Sequence, residues 1–236
     1  MTVPEIMADL QAHGSESIKK ILLKHGVKEP FFGVKIAHLK PIQKDIRRDY
    51  QLAKDLYATG NADAMYLAGL IADDEKMTKA DLQTWVEQAL SNNISGYTVP
   101  WVAAGSNYGY ELALEWINAK EEYIATAGWA TFSNIVALKP DNELDLASIK
   151  ELLAKIAATI HSADKRIRQT MNDFIIAVGT YITVLTDEAI AVSKKIGTVT
   201  IIDMNGTACK VPSAEEYILK AKAKGILGKK KKMVKC

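Results

Sequence analysis

The chain has 236 residues, 48% of them apolar and 25% charged, a globular balance that excludes a mainly disordered protein and supplies ample material for a core. Its longest apolar stretches, such as residues 174–178, fall far short of the roughly 20 residues needed to cross a bilayer, and no charged-then-apolar leader opens the chain. The net charge of +2 conceals an asymmetry, because from Cys209 onward nine lysines face only Glu215 and Glu216, a net of +7, which leaves −5 on the first 208 residues.

Apolar residues recur at helical spacing along almost the whole chain, as in Leu52 and Leu56, then Met65, Leu67, Leu70 and Ile71, then Leu82, Trp85, Val86, Ala89 and Leu90. Helices are predicted near residues 2–13, 15–26, 36–48, 50–59, 62–72, 79–91, 94–104, 109–118, 121–138, 146–160, 164–180, 187–196 and 213–224. The breaks carry turn chemistry, for example Thr59-Gly60-Asn61, Ser91-Asn92-Asn93 and Lys139-Pro140-Asp141-Asn142. Thr78 with Asp81, Asp145 with Ser148, and Thr186 with Asp187 and Glu188 read as helix starts. From residue 50 the helices fall into antiparallel pairs that begin near 50, 79, 109 and 146, the period of a two-helix repeat. The expected architecture is all-α, a right-handed solenoid of HEAT/armadillo-like helix pairs: one domain over residues 1–228 and a basic tail over 229–236. One segment breaks the pattern, since Asn205-Gly206 between β-favouring residues predicts a small hairpin or ordered loop within residues 199–211.

Two cysteines, Cys209 and Cys236, are too few for a disulfide framework, so a reducing cytoplasm is the expected home. His13, His25, His38 and His161 are scattered without the i, i+4 or cysteine-rich companions of a zinc site. Neither a protein metal nor another cofactor is expected, and phosphate-binding glycine loops, nucleophile elbows and dinucleotide fingerprints are absent. The terminal Lys229, Lys230, Lys231, Lys232 and Lys235 attract phosphate by counterion release, or else form a solubilising end.

Unusual content gathers on the second helices of successive pairs: residues 63–69, 97–101, 126–131 and 166–174. In a solenoid these helices line the concave face, so their residues are expected to meet in one groove. Tyr97 and Trp101 lie four apart on one helical face, and Asn172, Asp173 and Phe174 offer amide, carboxylate and ring on another. Trp101, Trp129 and Phe174 also fit a plain reading as core aromatics. Asp173 is harder to dismiss, because a carboxylate in the apolar run 171–178 must be paired, hydrogen-bonded or facing water.

Phe31-Phe32-Gly33-Val34-Lys35, the following His38-Leu39-Lys40, and the segments 63–69, 98–101, 127–131 and 166–178, taken in this order and spacing, resemble the DNA alkylation repair enzyme family. The run from Gly206 to Pro212 resembles the terminal motif of a branch of that family. The resemblance implies HEAT-like-repeat DNA glycosylases that hydrolyse the N-glycosidic bond of N3- or N7-alkylated purines, gripping double-stranded DNA by its backbone without a deep base-flipping pocket. In that pattern a carboxylate flanked by aromatic rings stabilises the sugar cation, and it stands four residues after a tryptophan on a concave helix. Here Tyr97 stands at the tryptophan and the uncharged Trp101 at the carboxylate; Thr126 replaces a phosphate-binding arginine and Phe174 a second tryptophan. Asp173 is then the candidate catalytic group beside Tyr97 and Trp101, with Trp129, Asn172, Phe174 and Thr126 as substrate contacts. Arg166, Arg168, Lys210 and residues 229–232 are the candidate DNA contacts. The expectation is a monomeric DNA-binding protein with weak or no glycosylase activity; the rival is a non-catalytic scaffold that takes a protein or peptide in its groove.

Overall fold

The structure, a computed structural model, describes the backbone of residues 1–202 and 208–236 and the side chains of residues 1–201 and 211–236. The described helices in chain order are α1 (Val3–Ala12), α2 (Glu16–Lys24), α3 (Ile36–Ile46), α4 (Tyr50–Tyr57), α5 (Ala62–Ile71), α6 (Lys79–Glu87) and α7 (Val99–Gly105). They continue with α8 (Gly109–Trp116), α9 (Glu122–Leu138), α10 (Leu146–Thr159), α11 (Lys165–Tyr181), α12 (Thr186–Ile196) and α13 (Ala214–Ala223). Each predicted helix is present, with ends displaced by a few residues. Between α12 and α13, β1 (Thr200–Ile202) pairs antiparallel with β2 (Ala208–Lys210), which is the expected small hairpin; its Asn205-Gly206 turn lies outside the described residues.

Local chemistry sets the helix starts. Thr2 with Glu5 and Thr78 with Asp81 close reciprocal capping boxes, and the Asp145 side chain accepts the amides of Ala147 and Ser148. Thr186 departs from its expected role: it is the first residue of α12 rather than its cap, and its hydroxyl donates to Gly179 O at 2.9 Å. The predicted helix 94–104 opens as a π-helical turn, Ile94–Thr98, in which Val99 N–H reaches five residues back to Ile94 O. Pro100 follows directly, and its missing N–H makes the widened turn cheap there, since no regular bond is forfeited at that residue.

The chain divides into two compact units, where sequence predicts one domain and a separate tail. The first is Met1–Leu114 together with Lys235 and Cys236; the second is Glu115–Val234. In the first, α5 is largely apolar and every one of its residues is buried, as expected of a central helix rather than an amphipathic surface one. Tyr57 of α4 stacks on Trp85 of α6 with centroids 4.0 Å apart, and its hydroxyl donates to the Trp85 carbonyl. In the second, α11 packs against α9, α12 and α13. Small residues permit the close approaches: a Cβ at Gly128 of α9 would stand 2.7 Å from Ile117 N and 3.0 Å from Trp116 C. Among the described residues no single helix is long and apolar enough to cross a membrane.

Candidate nucleic-acid interface

In the second unit Trp129 and Phe174 are both 0% exposed, with ring centroids 5.6 Å apart, and Phe132 completes the cluster at 6.0 Å from Phe174. They fill the seam between α9 and α11, so the expectation that they face a substrate is corrected: they are core aromatics. Thr126, one turn before Trp129, is also buried, and neither its hydroxyl nor the Trp129 indole N–H has a hydrogen-bond partner among the described residues. Asn172 is committed as well, its side-chain amide donating to Pro212 O at 3.0 Å and so fixing the segment that leads into α13. The second helices of the predicted pairs therefore form interior before they form any groove.

Asp173 differs from its neighbours. It is half-buried on α11, and among the described residues no hydrogen bond or ion pair reaches its carboxylate. Burial alone pushes its pKa up from 3.8 to about 6. A carboxylate held largely out of water without a partner is costly, and such groups concentrate at functional sites.

In the first unit Tyr97 is 54% exposed while Trp101 is 4% exposed. The two rings lie 6.0 Å apart, as the shared helical face predicts, but Trp101 is sandwiched behind Tyr97 and edge-on to Tyr66 at 5.3 Å. Of this pair, then, only Tyr97 presents a ring to solvent. The Tyr66 hydroxyl meets the terminal Cys236, and burial followed by that contact pushes its pKa up. Tyr97 and Trp101 belong to one unit and Asp173 to the other.

The predicted cations separate into two groups. The Arg168 guanidinium donates to Thr200 O at 2.9 Å, His161 O at 3.1 Å and Ala163 O at 3.0 Å, so it holds chain segments together instead of standing ready for phosphate. Arg166, half-buried on α11, donates its backbone N–H to the Glu122 carboxylate at 3.0 Å. Lys230 pairs with Asp141 at 2.8 Å and donates to Val136 O at 2.9 Å, and Lys235 pairs with Asp74 at 2.6 Å and donates to Ala72 O at 2.9 Å. Burial is the first influence on both members of the latter pair: it lowers the lysine and raises Asp74 to about 6, against their mutual attraction. Lys231 stays exposed, its ammonium 5.8 Å from the Tyr181 ring, and its backbone N–H is anchored to Ala137 O at 2.7 Å. Lys229 and Lys232 are exposed, and the Lys210 side chain lies outside the described residues. The basic tail over residues 229–236 is thus a packed segment with three outward lysines.

Two arrangements are missed by the sequence reading. The buried Asp63 carboxylate accepts the amides of Phe32, Gly33 and Val34 at 2.6, 3.0 and 3.3 Å, so the Phe31–Lys35 motif and the segment 63–69 are one structural device in which α5 anchors the approach to α3. Burial still raises the Asp63 pKa, against those three hydrogen bonds. The second is a cluster of Asp9, His13 and His38, whose ligating atoms all lie within 4.8 Å of one another. Asp9 stands four residues before His13, a ligand spacing invisible to a search for histidines and cysteines alone.

Stacked helix pairs, deep aromatic seams and a short hairpin define an all-α helical-repeat protein. Residues 6–203 match the family described as DNA alkylation repair enzyme, and the chain belongs to that family. Among its relatives, an uncharacterised protein of Listeria innocua is 30% identical over 228 residues, 94% of this chain and 98% of that one. Another uncharacterised protein, from Listeria monocytogenes, is 29% identical over the same lengths. A solved structure matches over 100% of both chains with a TM-score of 0.91 and 35% identity; it belongs to a family related to the HEAT-like repeat DNA glycosylases with affinity for branched DNA structures. This likeness carries the HEAT-like repeat fold to the present chain.

Proposed function

We propose that this protein binds DNA through its phosphates and prefers branched DNA to a plain duplex. The observation that carries this reading is the match over the full length of both chains to a protein with affinity for branched DNA structures. The outward Lys229, Lys231 and Lys232 give it a physical basis, since ammonium groups that replace condensed counterions gain affinity for any phosphate backbone. A branch point brings several backbones close together and raises the local negative potential, which favours it over one isolated duplex. The test is fluorescence anisotropy of a labelled four-way junction and a duplex of the same arm sequences across a salt series. The expected outcome is a steep salt dependence for both and about tenfold tighter binding of the junction, equivalent to about 1.4 kcal/mol. Absence of binding at low salt, or binding indifferent to salt, overturns the reading in favour of a protein or peptide ligand.

A second reading, slow hydrolysis of the N-glycosidic bond of N3- or N7-alkylated purines in double-stranded DNA, is favoured by the half-buried Asp173, which has no partner among the described residues. A fixed carboxylate stabilises a developing sugar cation, an effect that commonly amounts to about 10²–10³ fold. Trp129 and Phe174, the rings expected as substrate contacts, lie in the core instead. Release of alkylated purine above spontaneous depurination, lost in Asp173→Asn with DNA binding retained, supports this activity; undetectable release discards it.

A further inference from the structure

The cluster at the start of the first unit has a chemistry that DNA binding does not use. Asp9 and His13 lie at the end of α1, His38 in the first turn of α3. His38 Nε2 stands 2.8 Å from Asp9 Oδ2 and His13 Nδ1 3.4 Å from Asp9 Oδ1, while the two imidazoles stack at 3.6 Å. Ligand atoms about 2.0–2.1 Å from a tetrahedral zinc ion lie about 3.3 Å from one another, so these side chains are already near the spacing of a first coordination shell. A single His38–Asp9 hydrogen bond would suffice to fasten α3 to α1. The second imidazole also converges on Asp9: its Nδ1 stands 2.9 Å from the Asp9 backbone carbonyl and 3.4 Å from the carboxylate, and with half of the His13 side chain open to water the ring gives up that hydrogen bond when it turns a nitrogen to an ion.

We propose that Asp9, His13 and His38 bind one divalent transition ion of the zinc class, with water completing the shell. Two imidazoles and one carboxylate suit zinc, nickel and cobalt and disfavour calcium and magnesium, which take oxygen ligands. Ring lone pairs lie in the ring plane, so the stacked imidazoles swing apart about their side-chain torsions to share the ion, a movement that the exposed His13 can make. The bound ion then ties the end of α1 to the start of α3, and because the unfolded chain cannot assemble the three ligands, binding shows as stabilisation.

The test uses the full chain without a histidine tag and titrates Zn²⁺ against a chromophoric chelator, with thermal melts in parallel. The expected result is one equivalent bound with micromolar affinity, a melting temperature raised by zinc, and no response to Mg²⁺ or Ca²⁺. His13→Gln, His38→Gln and Asp9→Asn should each weaken binding at least tenfold, and His25→Gln should leave it unchanged; circular dichroism without metal shows whether each variant is folded. Absence of binding, or zinc retained by the His13→Gln/His38→Gln double variant, overturns the site. Zinc lost on Cys236→Ser and kept by the histidine variants assigns the ion to the terminal thiol and overturns it equally.

Discussion

Asp173→Asn should stabilise the protein at neutral pH, although it is the substitution that most directly challenges the candidate site. Burial raises the carboxyl pKa from 3.8 to about 6, with no partner among the described residues to offset it. The folded state therefore holds a proton that the unfolded chain gives up earlier. Below pH 3.8 both states are protonated and the group carries no penalty; between 3.8 and about 6 stability falls as pH rises; above about 6 the penalty is constant. A shift of about two units corresponds to a ceiling of about 3 kcal/mol, and the buried amide that replaces it keeps part of the cost, so a gain of about 2 kcal/mol is expected. For a chain of this size that is about 4–8 °C in melting temperature. Melts of the two proteins should diverge at pH 7.5 and nearly coincide at pH 4, where other titrations cancel in the difference. A variant less stable than the natural protein at pH 7.5, or a difference independent of pH, would refute the partnerless carboxylate and with it the case for Asp173 as a site kept at the expense of stability.

Replacing Lys229, Lys231 and Lys232 together by alanine should weaken DNA binding about equally for all sequences and flatten the logarithmic salt slope by up to about 2.7, measured by anisotropy, if all three meet phosphate. Lys235→Ala should act on stability instead: it leaves Asp74 buried beside an empty position and should cost about 3 kcal/mol in urea unfolding at pH 7.5, less at pH 5, where Asp74, with its pKa near 6, is mostly protonated. Gly128→Ala drives a methyl group onto the backbone of Trp116 and Ile117, a clash that no side-chain rotation relieves, and should lower thermal stability by about 1–3 kcal/mol with helical content preserved.

The helices were legible because their signals are local. Periodicity marked α9 and α11, the Thr78–Asp81 box marked the start of α6, and the largely apolar run in α5 matches a helix surrounded on all sides. The site was less legible, because the direction of a side chain depends on which helices meet. Trp129 and Phe174 occupy the same positions on a helical wheel whether they face a groove or a neighbour, and only the packing of α9 on α11 decides for the neighbour. Arg168 fails for a related reason: the carbonyls that consume its donors come from Thr200 and from the turn at His161 and Ala163. By contrast the conflict at Asp173 is visible in the sequence, since a carboxylate in an apolar helical run conflicts with burial wherever the helix packs.

The terminal lysines show how composition and structure divide a single feature between them. Composition counts five cations in the last eight residues; the acids that answer two of them, Asp141 and Asp74, lie about ninety and one hundred and sixty residues upstream. Lys230 and Lys235 spend their charge on those acids and on helix-terminal carbonyls of α9 and α5, where an ammonium is also favoured by the helix dipole. The segment between them is held further by the bond from the Lys231 amide to Ala137 O. Lys229, Lys231 and Lys232 are consequently displayed from a backbone already fixed in place. A ligand that meets them does not have to order a flexible tail, so a larger part of each phosphate contact is available as affinity than the same three lysines would yield on a loose end.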